Sequence, residues 1–523
     1  MVFQVRLRWV LCMVLVCVGT IRAQELRRSG FLGVLVVPLS DAARQRTRLP
    51  AATGVEVQRL VDGGSARAAG VEVGDVITRI EGHDVAGPDD FVASAKRLRA
   101  GDVASLSVIR GEQTRTIRLE VLPRPVEKSP DADVRYLAVE VDGSLRRVIV
   151  TLPKQPGRYP ALLFMTGIGC FSQESLDRST TEAALLYGLT ARGFVTMRVE
   201  KSGMGDSEGP PCSSDAAGLR SEVRAYLAGL KALKQYPFVD PSDVFLIGHS
   251  IGGVEAPMVA RQESVRGIVV VNTVAKPFLE YLLETRRRQG QLRHAPFDEI
   301  DRENRLDEWC NHRLVIDRQA ADQVNKENPA CREHIEYPAP SAFMQEWAAV
   351  NPAEEWKPVT SPVLAVYGTS DYVATGADHP YLATMLNTFH PGQATVKAIE
   401  GMDHNLARAE SMEASRTRPP GTPLELAPTV LDVIGAWLGG QVAVARSSGS
   451  SQFSDFDQAT SFGACRARVA MHCALSSRLC AIARSVPGVG WELTATDAAW
   501  RSDGSQIAAT AAIGPPRPDP VVD

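Results

Sequence analysis

An α/β chain with a mainly parallel sheet, preceded by a smaller β-rich module, is the architecture the sequence predicts. Three observations carry that expectation. Beyond Asp131, apolar runs of strand length alternate with helical stretches, the pattern of a parallel sheet covered on both faces. Between Gly30 and Leu122 the apolar runs are shorter and are separated by Gly-rich turns, as in a small β-rich module. A tight turn, Gly248-His249-Ser250-Ile251-Gly252-Gly253, joins an apolar run directly to a helical one. At 523 residues the chain exceeds one ordinary domain of roughly 150 residues, so several are expected. Hydrophobic residues at 44% and charged residues at 23% suffice for sizeable cores. The net charge of -4 lacks the basic footprint of a nucleic-acid binder.

The first residues place Arg6 and Arg8 before an apolar run from Trp9 to Val18 and a small-residue cleavage point near Ala23. Residues 1–23 therefore read as a secretory signal, too short for the roughly 20 apolar residues of a membrane span. The mature chain is expected to be exported, periplasmic or extracellular, with no integral membrane span. An oxidising compartment favours disulfides. Cys170 and Cys212 fall on loops after predicted strands, and Cys310 and Cys331 in one helical insertion. Two bridges or four buried thiols both fit, and the connectivity stays open.

Within the first module, residues 29–122, the signatures fall in order: Gly30-Phe31-Leu32-Gly33-Val34, Gly54-Val55-Glu56-Val57, Gly64-Ser65-Ala66-Arg67-Ala68-Ala69-Gly70, Val73-Gly74-Asp75-Val76-Ile77 and Ile80-Glu81-Gly82. A helical stretch runs from Asp89 to Leu98. The segment resembles a PDZ domain of the kind attached to bacterial periplasmic proteases. The resemblance implies an exposed strand edge that takes a peptide C-terminus, with Phe31, Leu32, Gly33 and Val34 as the carboxylate loop and the helix bearing Phe91 and Ala95 along the groove. The alternative is that this groove docks against the chain's own second domain. Pro123, Pro125 and Pro130 mark residues 123–133 as a linker.

The second domain, residues 134–440, offers strands at Arg147 to Leu152, Ala161 to Met165, Phe194 to Val199, Val244 to Ile247, Gly267 to Val271, Val363 to Tyr367 and Val396 to Ile399. Helices are expected at Thr181 to Ala191, Ala216 to Leu233, Ile251 to Gln262 and Tyr381 to Phe389. Ser250 lies between a strand and a helix in a G-x-S-x-G turn that would lift its hydroxyl above the sheet. A second match, Gly205-Asp206-Ser207-Glu208-Gly209, is followed by Pro210 and Pro211 and cannot open a helix in the same way. A serine nucleophile needs a base, and the base needs an orienting group. Asp371 follows the strand ending at Tyr367, and His404 follows the strand ending at Ile399. His379, His390 and His472 are the weaker rivals for the base, and Asp403 for the acid.

The chain order Ser250, Asp371, His404, each beyond the end of a predicted strand, resembles the α/β-hydrolase superfamily over about Val134 to Leu438. The similarity includes esterases, dienelactone-hydrolase-like enzymes and prolyl oligopeptidase catalytic domains. It implies an oxyanion hole from the backbone N–H groups of Ile251 and Ile168, with Thr166 standing where many relatives carry a histidine. It also implies a cap at about 273–360, whose Phe278, Tyr281, Trp309, Phe343 and Trp347 are expected mostly to pack the cap's own core. His312 and His334 fit no zinc spacing with Cys310 and Cys331, so neither metal nor cofactor is expected. Residues 441–523 read as a low-complexity, disordered tail. The expected activity is hydrolysis of a carboxylic ester through an acyl-enzyme. A serine peptidase and a peptide-binding adaptor with a vestigial hydrolase are the alternatives.

Overall fold

The computed structural model describes residues 26–49, 53–175 and 180–450. The leader expected at 1–23 and residues 451–523 of the expected tail, His472 among them, lie outside the described residues. In the first module, strands Val34–Pro38, Val55–Leu60, Val76–Ile80, Val103–Arg110 and Gln113–Glu120 pair antiparallel in that order. Strand side chains alternate between faces, so Ala104, Leu106 and Val108 all point inward. They meet Val55, Val57, Ile77 and Ile80, and Phe91 of the helix Pro88–Ala95 closes this core.

The second sheet has eight strands. These are β1 (Ala132–Val141), β2 (Ser144–Pro153), β3 (Tyr159–Met165), β4 (Val195–Val199), β5 (Val239–His249), β6 (Gly267–Val271), β7 (Val363–Gly368) and β8 (Ala394–Ile399). Their spatial order is β8-β7-β6-β5-β3-β4-β2-β1. β1 and β2 run antiparallel to each other, β2 runs antiparallel to β4, and the remaining pairs are parallel. The chain reverses its direction of growth at β3, between β4 and β5, and ligands of open α/β sheets bind beyond the carboxyl ends at such a switch point.

Helices cover both faces, which is why Ala161 to Met165 of β3, Val244 to Ile247 of β5 and Ile268 to Val271 of β6 are apolar at every position. On β3, Ala161, Leu163 and Met165 enter the core beneath α2 (Leu219–Gln235) and α3 (Ile251–Ala260). Leu162 and Phe164 enter the opposite core beneath α1 (Thr181–Ala191). The cap contributes α4 (Phe278–Leu292), α5 (Phe297–Asn311) and α6 (Ser341–Ala348), and α7 (Asp378–Phe389) precedes β8.

Two elements differ from the sequence reading. β1 starts inside the segment read as a linker, and Asp133, Arg135 and Glu140 hide it, because an edge strand needs no continuous apolar run. The last helix, α8 (Val430–Ser450), passes the boundary placed at 440: Val430, Ile434, Leu438 and Val442 form a four-residue stripe against the core of α1. The segment 123–133 is also anchored. Glu127 is buried, its carboxylate takes two hydrogen bonds from Arg198 at 2.8 and 2.9 Å, and it accepts from the Ser175 N–H and the Tyr187 hydroxyl.

The residues just before the first module bind the second sheet through buried charge. Asp206 accepts from Arg28 at 2.5 Å, from Arg147 at 2.9 Å and from the Ser29 N–H at 2.7 Å. Glu174 pairs with both Arg28 and Arg124. The second G-x-S-x-G match is thus a structural loop whose carboxylate joins the two halves. Cys170 pairs with Cys212, tying the loop after β3 to the loop after β4, and Cys310 pairs with Cys331 inside the cap. His334 contacts Asp307 at 2.8 Å rather than either cysteine. No helix among the described residues is long and apolar enough to cross a membrane.

Candidate active site

β5 ends at His249 and α3 begins at Ile251, so Ser250 alone turns the chain, at φ 55° and ψ −121°. A positive φ is costly for a residue with a side chain, of order 1–3 kcal/mol, and persists only where the surroundings impose it. The glycines make that possible. A Cβ on Gly248 would strike the Gly252 backbone, one on Gly252 the Met165 carbonyl, and one on Gly253 the Thr273 side chain. Two hydrogen bonds then lock the turn: the Ser250 N–H donates to the Val271 carbonyl at 3.0 Å, and the Ser250 carbonyl accepts from the Thr273 hydroxyl at 2.8 Å.

His404 reaches this turn from the loop after β8. Its Nε2 lies 3.1 Å from Ser250 Oγ, and its Nδ1 lies 2.9 Å from Asp371 Oδ2. Asp371, on the loop after β7, is 1% exposed, and its Oδ1 accepts the N–H groups of Val373 and Ala374 at 2.7 and 2.9 Å. One carboxylate oxygen is therefore committed to its own loop and the other to the imidazole. Burial pulls the His404 pKa down, but the charge and hydrogen bond of Asp371 outweigh it, and the net shift is upward from 6.5.

The rival groups are placed elsewhere. Asp403 is buried against Arg418 at 2.5 Å and against the N–H groups of Asn405 and Ala407. His379 accepts the Thr273 N–H at 3.1 Å, and burial pushes its imidazole down to about 4. His390 contacts the Lys357 carbonyl at the surface. Two residues that the sequence reading did not single out hold the His404 loop. His249 Nε2 donates to the His404 carbonyl at 2.7 Å, and Asn272 Nδ2 donates to the carbonyls of Asp403 and His404. Burial, then the neighbouring His404, lowers the pKa of His249, so it serves as a neutral donor. Asn272 also accepts the Gly368 N–H at 2.9 Å, tying the end of β6 to that of β7. Only the position of His249 inside the turn motif could have pointed to either residue.

Ile251 is the first residue of α3 and carries one of the N–H groups that a helix leaves without an internal acceptor. Ile168 and Ile251 line one cavity with Ser250 and His404. The cavity has a volume of about 190 Å³ and is walled by Val274, Phe278, Tyr281, Trp347 and Val373. Here the expectation for the cap aromatics is corrected in part. Phe278 and Trp347, with ring centroids 4.7 Å apart, and Tyr281, 5.8 Å from Trp347, pack together and face Ser250 at the same time. Phe343 is buried in the cap core, and Trp309 lies at the surface against Arg313.

In the first module Phe31, Leu32, Gly33 and Val34 lie along a cleft with Phe91, Val92 and Ala95. The cleft, about 1090 Å³, is bounded on its other side by residues of the second domain from Gly203 to Ser213. Gly33 takes a φ of +67°, and a Cβ there would strike Gly64.

Residues 162–415 match the family model of the alpha/beta hydrolase family, and residues 30–121 match that of the PDZ domain. The chain thus carries an alpha/beta hydrolase domain behind an N-terminal PDZ domain. Esterase EstD of Thermotoga maritima is 24% identical over 230 residues, which cover 44% of this chain and 50% of that one. A probable periplasmic serine endoprotease, DegP-like, of Rhizobium meliloti is 29% identical over 103 residues, 20% of each chain. The matches therefore span about half the length of the esterase and a fifth of the endoprotease. Among solved structures, Est1E from Butyrivibrio proteoclasticus aligns over 59% of this chain and 99% of its own, at 14% identity and a TM-score of 0.38.

Proposed function

We propose that the protein is an exported serine hydrolase that cleaves a small carboxylic ester through an acyl-enzyme, with Ser250 as nucleophile, His404 as base and Asp371 as its orienting acid. The observation that carries this reading is the position of His404 between Ser250 Oγ and the buried Asp371 carboxylate. His404 Nε2 takes the Ser250 proton as Oγ attacks the carbonyl carbon. The backbone N–H groups of Ile168 and Ile251 receive the oxyanion, each worth about 2.7–4 kcal/mol in comparable sites. The imidazolium then returns the proton to the leaving alcohol, and water repeats the sequence on the acyl-enzyme. We assign residues 29–122 to the PDZ-like module and 134–440 to the hydrolase, with the cap at 273–360. A peptide C-terminus is the proposed ligand at Phe31 to Val34. The likeness of this module to periplasmic proteases, with the leader read at 1–23, supports export.

The cavity supports a substrate class. At about 190 Å³ it falls below the roughly 300–1,000 Å³ of sites for drug-sized ligands, and its walls are mostly apolar, with Thr285, Arg286 and Gln289 as the polar exceptions beside the catalytic groups. It suits a short acyl group better than a long chain or a folded peptide segment. In a panel of acyl esters, aminoacyl amides and peptidyl amides, kcat/KM is expected to be highest for acyl chains of a few carbons and at least about tenfold lower for long ones, since each methylene the pocket cannot accept costs about 0.8 kcal/mol. Faster turnover of peptidyl amides than of any ester would favour the peptidase reading instead.

A further inference from the structure

We infer that Lys201 is a positioning residue for the Ile168 amide: by holding the Gly167 carbonyl from below, it aims the adjoining N–H at the oxyanion. The inference rests on the reading of Ser250 as nucleophile and of Ile168 as an oxyanion donor. Lys201 follows β4 and is 3% exposed, and its Nζ donates to the Gly167 carbonyl at 2.9 Å. The peptide unit joining Gly167 to Ile168 is planar and trans, so its C=O and N–H point in opposite directions. A cation that fixes the oxygen on one side fixes the hydrogen on the other. The bond is charge-assisted and polarises the amide, which strengthens the N–H as a donor. Gly167 itself lies beside the nucleophile, since a Cβ there would sit 3.6 Å from Ser250 Cβ.

The rest of the cluster has the form of a support. A lysine this deep needs a partner, and Glu222 of α2 provides one, with Oε2 at 3.1 Å from Lys201 Nζ. Tyr226, one turn further along α2, accepts the Thr166 N–H at 3.2 Å. The loop is thus held at the amide before Gly167 and at the carbonyl after it. Glu255 lies one turn into α3, the helix that Ile251 opens; it is fully buried, and neither of its carboxyl oxygens has a hydrogen-bond partner. Burial, reinforced by Glu222, pushes the Glu255 carboxyl well above the usual carboxylate range; burial raises Glu222 as well, opposed there by the charge and hydrogen bond of Lys201. None of these side chains faces the cavity that holds Ser250 and His404. Their effect on catalysis passes through the backbone of residues 166–168.

The test combines kinetics on an activated short ester with 19F NMR of the hemiketal that an aryl trifluoromethyl ketone forms with Ser250. In Lys201→Met, kcat is expected to fall roughly 10- to 100-fold with KM within about twofold, less than the 10²–10³ lost when an oxyanion donor is deleted outright. The hemiketal oxygen should ionise at higher pH than in the wild type, a change that a purely structural role would not produce. Lys201→Arg, which keeps a donor for the Gly167 carbonyl, should recover part of both effects. If Lys201→Met does not fold, the paired variant Lys201→Met/Glu222→Gln, which leaves no unpaired buried charge, answers the same question, and unchanged kcat and hemiketal ionisation in it overturn the inference. A folded Lys201→Met with unchanged kcat and ionisation also overturns it. A wild-type protein that forms no hemiketal overturns the hydrolase reading itself, and the inference with it.

Discussion

Ser250→Ala and His404→Ala are each expected to lower kcat/KM on an activated short ester by roughly 10⁴-fold or more, and the double variant to be no slower than the slower single. The expectation follows from the 3.1 Å contact between His404 Nε2 and Ser250 Oγ. Without the base the hydroxyl keeps its proton, and without the hydroxyl the base has nothing to activate, so either loss removes the same step. On the proposed mechanism the residual rate would come from the Ile168 and Ile251 amides and from substrate binding, which neither substitution touches. Steady-state kinetics on the three variants measures it. A double variant slower by the product of two large losses would mean that the residues act independently.

Asp371→Asn is expected to cost roughly 10⁴-fold in kcat while leaving the fold intact, because the asparagine can be oriented in only one way. Its Oδ1 must still accept the Val373 and Ala374 N–H groups, which turns its amide NH₂ toward His404 Nδ1. Nδ1 must then accept, the ring proton moves to Nε2, and the imidazole can no longer receive the proton of Ser250. The pH profile changes too. In the wild type, burial lowers the His404 pKa and Asp371 raises it further, so the acid limb of kcat/KM should lie above pH 6.5. Protonation of His404 as pH falls through that value abolishes the base. In Asp371→Asn the raising charge is gone and burial remains, so the residual activity should keep its acid limb at lower pH. An acid limb unmoved by the substitution would separate Asp371 from His404.

Much of this arrangement is legible in the sequence, for a physical reason. The run Val244 to Ile247 of β5 and the run of β7 are covered on both faces and must be apolar, so they stand out, and their carboxyl ends, with that of the edge strand β8, then mark where Ser250, Asp371 and His404 belong. The turn at Ser250 is legible because backbone crowding at Gly248, Gly252 and Gly253 excludes any side chain. Elements with a looser requirement are hidden: β1 is an edge strand with charges on it, and α8 needs only every fourth residue apolar. Supporting residues are hidden for a different reason. Lys201, Asn272 and His249 act on backbone carbonyls of loops distant in sequence, and that demands a position in space rather than a spacing along the chain. The division of the cap aromatics follows from packing as well. Phe278, Tyr281 and Trp347 serve the cap core and the cavity together, which a pattern of hydrophobicity cannot separate.

The central claim is that Ser250 is an activated nucleophile, and covalent labelling tests it most directly. The full-length protein is treated with a fluorophosphonate, digested, and the modified residue located by mass spectrometry. A single adduct is expected on Ser250, forming faster as pH rises through the His404 pKa and absent in Ser250→Ala. Labelling of Ser250→Ala equal to that of the wild type, or an adduct carried only by another residue such as Ser207, would contradict the account.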